Sequence, residues 1–167
     1  MGPKEYRNEI LEVLAQRFEE NNNSRPDAYA LILAIDVYAS VVSYRLNGKD
    51  KDVGFKDGIE AYCEPFKIIR SASNAIKHIE RKNPTFIVTS IDSVRPTERP
   101  GWHGYFGNGS GVSITVSWVH DPETDTYNDP TGKKLDYTPV SPWKTQYLRK
   151  LHRPAIEAID AELIAGT

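Results

Sequence analysis

Arg70, Asn74, Lys77, His78 and Arg81 fall within one stretch, Glu64 to Lys82, whose apolar residues recur at helical spacing. A helix turning about 100° per residue gathers Ile68, Ile69, Ala72, Ile76 and Ile79 on one side, which must face a core. Arg70, Asn74, Lys77 and Arg81 occupy a narrow sector nearly opposite, and His78 lies at its edge, one turn beyond Asn74. Four groups able to bind phosphate converge there with an imidazole. The plainer account is that Lys77, Arg81 and Lys82 place cations near a helix C-terminus, where the macrodipole favours them, on a solvated face.

Elsewhere the residue types that do chemistry lack the spacing for it. The connection GWHGYFGNGSG has no Gly-Lys-Ser/Thr ending and precedes a strand, so it reads as a hairpin connection rather than a phosphate cradle. Its Trp102, His103, Tyr105 and Phe106 would suit the stacking of bases, but aromatic residues in such a place more often pack against a neighbouring element. Asp121, Glu123, Asp125 and Asp129 trace a calcium loop superficially, yet Thr126 replaces the turn glycine and Gly132 the closing glutamate, which leaves a hairpin tip. His78, His103, His120 and His152 share no metal-ligand spacing and Cys63 is the only cysteine. No metal or cofactor is therefore expected, and an internal disulfide is excluded. No Gly-x-Ser-x-Gly elbow points to a serine hydrolase. Lys144, Arg149, Lys150, His152 and Arg153 form a basic stretch that reads as solvated surface, or joins the His78 face if the two helices pack together.

The elements that must position these groups follow from the pattern. Ile10, Leu11, Val13, Leu14 and Phe18 mark a first helix from Lys4 to Glu20, closed by Asn21-Asn22-Asn23. Ser24 or Asp27 caps a second, with Pro26 in its first turn; Ala28 to Leu46 is apolar enough to be buried on most sides, and Asn47-Gly48 ends it. Asp50 to Cys63 reads as a short helix, with Gly54 and Gly58 leaving a structured loop open. Glu64 to Lys82 is the strong helix, with Pro65 near its start and Asn83-Pro84 at its end.

After Pro84 the character turns to β. Thr85 to Val94 and Val112 to His120 predict two antiparallel strands, and NDPTG the turn of a further hairpin between Thr126-Tyr127 and Lys134-Leu135. Ser141-Pro142-Trp143 then opens a closing helix whose stripe runs through Tyr147, Leu148, Leu151, Ile156, Ile159 and Leu163, kinked at Pro154. The plan is α+β: an antiparallel helical bundle over residues 1–83, a small antiparallel β-meander over 84–138, and a C-terminal helix over 139–167 that returns to the bundle, all one domain of 1–167.

Composition bounds the partners. With 39% hydrophobic and 26% charged residues in 167, the chain is globular and of single-domain size. Lys+Arg number 21 against 23 Asp+Glu, so the net charge of -2 gives no overall attraction to nucleic acid or an anionic membrane. Any phosphate binding must come from a local patch. MGPKEYRNEI lacks the apolar core of a signal peptide, and no run of about 18 apolar residues presents itself for a bilayer, so a cytoplasmic protein with no membrane partner is expected.

SNAIKH, Ser73 to His78, at the end of a bundle helix resembles the HEPN family, whose usual motif is Arg, a polar residue, then a few residues to His. The resemblance covers roughly the helical half of the chain. Ser73 stands where the family would place Arg, and Arg70 has seven residues, rather than four to six, between it and His78. The resemblance implies a HEPN-like bundle and a homodimer, in which Arg and His of two facing helices form a ribonuclease site. It also implies metal-independent cleavage of RNA, the ribose 2′-OH attacking the adjacent phosphorus. His78 and Arg70 would be the catalytic pair, His78 moving protons and Arg70, helped by Lys77 or Arg81, stabilising the phosphorane. Asn74, Lys77 and Arg81 would bind substrate, Asn74 by hydrogen bonding. Such proteins often serve in toxin or antiviral defence systems. The alternative is a non-catalytic module whose bundle docks a protein partner, with the β-hairpins as the recognition element.

Overall fold

The computed structural model describes residues 1–48, 51–79, 87–88, 90–97, 111–117, 119–121, 126–128 and 143–166, and most of these are helical. Helix α1 (Pro3–Tyr6) runs through a π turn, Arg7–Leu11, into α2 (Glu12–Glu20); the Glu12 N–H reaches back to Arg7 O, so the three segments make one rod. Helix α3 (Arg25–Asn47) starts as its sequence predicts: Ser24 Oγ accepts from the Asp27 N–H at 3.3 Å, and Pro26 occupies the first turn. It stops at Gly48, whose φ of 81° suits a residue without a side chain. Then come α4 (Asp52–Glu60), α5 (Glu64–His78), strands β1 (Val94–Thr97), β2 (Gly111–Ser117), β3 (Val119–Asp121), β4 (Thr126–Asn128) and β5 (Trp143–Tyr147), and finally α6 (Leu148–Ala165).

Helix α3 is the axis of the bundle. Its Leu31, Ile32, Ile35, Tyr38 and Val42 are buried among Leu11 and Phe18 of the first rod, Ile68, Ile69 and Ala72 of α5, and Leu148, Ile156 and Ile159 of α6. By length and apolar content α3 would also suffice to cross a bilayer, which departs from the sequence expectation; half of its apolar window is buried against its neighbours. The three-stranded sheet has the order β1-β2-β5, antiparallel throughout, with Val94 opposite Ile114 and Thr115 opposite Thr145. Val94, Val112, Ile114 and Val116 point into the same core as the helices. Strand β2 is tied to the bundle by the Val112 N–H, which donates to Asn22 O at 2.7 Å. β3 and β4 pair separately as a short hairpin.

The chain is thus mainly helical, with a small antiparallel sheet and a C-terminal helix that rejoins the bundle. Several boundaries differ from the sequence reading. Trp143–Tyr147 is a strand rather than the first turn of the closing helix, because pairing with β2 satisfies its backbone. The first strand is Val94–Thr97 rather than Thr85 to Val94: the Val88 N–H donates to Ser71 Oγ at 3.1 Å, so its backbone is spent on α5. Residues 85, 86 and 89 of that stretch lie outside the described residues. Strand β4 pairs with β3, whereas Lys134 and Leu135, its expected partners, lie outside the described residues, as do Trp102, His103, Tyr105 and Phe106.

Candidate functional site

Helix α5 begins at extended Cys63, φ -119°, with Pro65 in its first turn, and ends earlier than its sequence pattern predicts, at His78. The stop is made by Ile79, with φ 64° and ψ -52°, close to the γ-turn of positive φ that a β-branched residue rarely adopts. The Ile79 carbonyl accepts from the Ile91 N–H at 3.0 Å, which pins the turn to the segment leading into β1. Its side chain is 68% exposed, so Ile79 does not join the apolar face expected of it.

The buried arc of α5 is wider than the apolar pattern alone suggests. Besides Ile68, Ile69 and Ala72, it takes in Phe66, Ser71, Ser73 and Ala75. From Arg70 onward the residues of this helix left with more than marginal exposure are Arg70, Asn74, Ile76, Lys77 and His78. Four of the five sequence-derived candidates therefore share one strip; Arg81 lies outside the described residues.

The cations of the strip are engaged. Arg70 Nη1 lies 2.7 Å from Asp57 Oδ1 and 3.1 Å from Glu60 Oε1 on α4, and its side chain is only 16% exposed. Burial works against the Arg70 charge, but Asp57 and Glu60 more than restore it. Glu60 is pushed above the ordinary carboxylate range, chiefly by burial and only partly offset by Arg70. Lys77 reaches Asp36 Oδ2 from the surface end of the same strip. Asn74 is partly exposed and His78 exposed, and neither has a side-chain hydrogen bond to another described residue. Arg70 and His78 stand eight residues apart, about 12 Å along the axis at 1.5 Å per residue, and the guanidinium is turned onto α4.

Asp36 organises the interior side of this strip and carries no motif that would flag it. It is 3% exposed in the middle of α3. Lys56 Nζ lies 2.8 Å from its Oδ1; Oδ2 takes Lys77 and a 2.8 Å hydrogen bond from Ser73 Oγ. Lys56, itself buried, also meets Asp52 Oδ2 at 3.2 Å, and the Ser40 hydroxyl donates to that same oxygen at 3.2 Å. Burial alone would push the Asp36 carboxyl up, but Lys56, Lys77 and Ser73 together hold it below its ordinary range. The available signal was Asp36 itself, the only charged residue between Asp27 and Arg45.

The C-terminal basic stretch turns elsewhere. His152 is buried, with Nδ1 3.1 Å from Leu148 O and Nε2 2.8 Å from Glu19 Oε1. Arg153 meets Glu19 at 2.8 Å and Glu12 at 2.8 Å, so both residues clasp α2 rather than join His78. Arg153 above all, with His152, holds the Glu19 carboxyl down to about 2, against the cost of burial. Among the described residues no three of His, Cys, Asp or Glu gather as a metal-binding set. No family model matches the chain, and no curated protein or solved structure is significantly similar to it.

Proposed function

We propose that this chain is a cytoplasmic HEPN-like protein that binds RNA along the exposed strip of α5, through Asn74, Lys77 and His78 with Arg70 as a reserve cation. The observation that carries the reading is the confinement of α5: its core-facing side is buried, and the polar groups left accessible in the last turns, beside a partly exposed Ile76, are a cation, an amide, a second cation and an imidazole. Within one chain the Arg70 guanidinium is engaged by Asp57 and Glu60, and cleavage would draw on the facing Arg–His set of a homodimer. A role in a toxin or defence system belongs to this proposal too.

The test is incubation of mixed RNA with the protein, with and without chelator, beside His78→Ala and Arg70→Ala. Chelator-resistant cleavage lost in both variants supports a nuclease. Retarded but intact RNA, with retardation reduced in the variants, supports binding alone. Neither, in folded protein, removes RNA from the account.

A protein-docking module is the second reading, favoured by the end of the bundle away from the sheet. Tyr44, Val53, Tyr62 and Ile164 are all exposed, and a groove of about 460 Å³ there is lined by Asn47, Lys51, Gly54, Phe55, Gly58, Ile59 and Glu162.

A further inference from the structure

The carboxylates on Arg70 come from a helix with little reason to be helical. Helix α4 has nine residues, two of them glycine, and no side-chain cap at its N-terminus. A methyl group added at Gly54 or Gly58 would meet open space, so packing does not require either glycine. Val53, Gly54, Asp57 and Gly58 face solvent, and Ile59 and Lys56 are its buried anchors. Held to the bundle through Ile59 and Lys56, the segment places Asp57 and Glu60 against a single nitrogen of one guanidinium, Nη1, at 2.7 and 3.1 Å, where they take a donor that a phosphate oxygen would otherwise use.

Resting on the reading of α5 as the RNA-facing helix, we propose that α4 is an autoinhibitory cover. Asp57 and Glu60 occupy Arg70 as an internal stand-in for phosphate, and a polyanion gains Arg70 only by displacing them. In the covered state the strip offers Asn74, Lys77 and His78; in the uncovered state Arg70 adds the donor that grips a phosphate in two places. Burial raises the Glu60 carboxyl, so its charge beside Arg70 is held at a desolvation cost.

Two measurements on the full chain test this separately from RNA binding itself. The first is the rate at which phenylglyoxal modifies Arg70, followed by mass spectrometry. The second is the anisotropy of a short fluorescein-labelled single-stranded RNA of mixed sequence. The variants are Asp57→Asn with Glu60→Gln, the same pair with Arg70→Gln, and Glu9→Gln with Glu157→Gln, which changes net charge equally at exposed positions. The cover predicts that the Asp57/Glu60 variant labels at Arg70 about tenfold faster and binds RNA about tenfold tighter. Neither the charge control nor the variant lacking Arg70 should gain. Unchanged labelling in a folded Asp57/Glu60 variant overturns the cover, as does an equal RNA gain in the charge control or without Arg70. Faster labelling with no RNA bound by any form upholds the cover and removes RNA as its ligand.

Discussion

Ser73 Oγ donates to Asp36 Oδ2 at 2.8 Å, so the side chain that replaces the expected arginine of the motif faces the interior of the bundle rather than solvent. The neighbouring position, Asn74, is the one that looks outward. Ser73→Ala should lower unfolding free energy by about 1.5–3 kcal/mol, the usual worth of a hydrogen bond to a charged group, seen as a lower urea midpoint with unchanged slope. Ser73→Arg should destabilise as well, because the site is fully buried and close-packed. A stable Ser73→Arg protein would show that this face of α5 has room that the structure denies it.

Asp36 carries two ammonium groups of unequal standing, since Lys56 is buried and Lys77 is 42% exposed. Asp36→Asn should cost about 3 kcal/mol, because it leaves the buried Lys56 charge to the partly exposed Asp52 alone. Lys77→Gln should cost no more than about 1 kcal/mol, as expected for a pair open to water on one side. Comparable losses in the two variants, measured by denaturant titration, would contradict this ranking.

Acid should loosen the fold in a defined window. The Glu12, Glu19 and Asp36 carboxyls lie below their ordinary values, so each stabilises the folded chain while ionised and ceases to do so as pH falls through its folded pKa. For Glu19 the loss spans pH 4.5 to about 2. Glu60 is shifted upward and works in the opposite sense, favouring the folded chain as it gains a proton, but it stands against three. The urea midpoint should therefore hold near neutrality and drop below about pH 4.5. Glu19→Gln should lower stability at neutral pH and make the acid slope shallower.

Ile79 offers a substitution that gains stability. Its φ of 64° is strained for a β-branched residue and unstrained for glycine, and its side chain packs against little. Ile79→Gly should raise unfolding free energy by about 0.5–2 kcal/mol after the entropy of the glycine is counted. A loss instead would mean that the turn is held by contacts of the Ile79 side chain.

How much of this could be read beforehand differs from element to element. The starts of α3 and α5 follow from Ser24, Pro26 and Pro65, and the end of α3 from Gly48, because caps and breakers act within a few residues. Trp143 and Tyr147 fit a helical stripe with Leu148 and Leu151 as well as one face of a strand, and the choice is made by β2, some thirty residues away in sequence. The cationic strip on α5 is legible for the same local reason as the helix. Its neutralisation is not: Asp57, Glu60 and Asp36 meet Arg70 and Lys77 only through packing, and periodicity contains no term for which charges lie across the interface.

Strand β5 passes into α6 without a linker: Tyr147 is the last strand residue and Leu148, fully buried, the first of the helix. Such a joint behaves as a rigid elbow. Torque applied to the sheet cannot dissipate in a loop and is delivered to α6, whose His152 and Arg153 grip the N-terminal rod one turn further on. Sheet and bundle would then answer a mechanical load, or a ligand seated on either, as one body, and an insertion between Tyr147 and Leu148 would uncouple them.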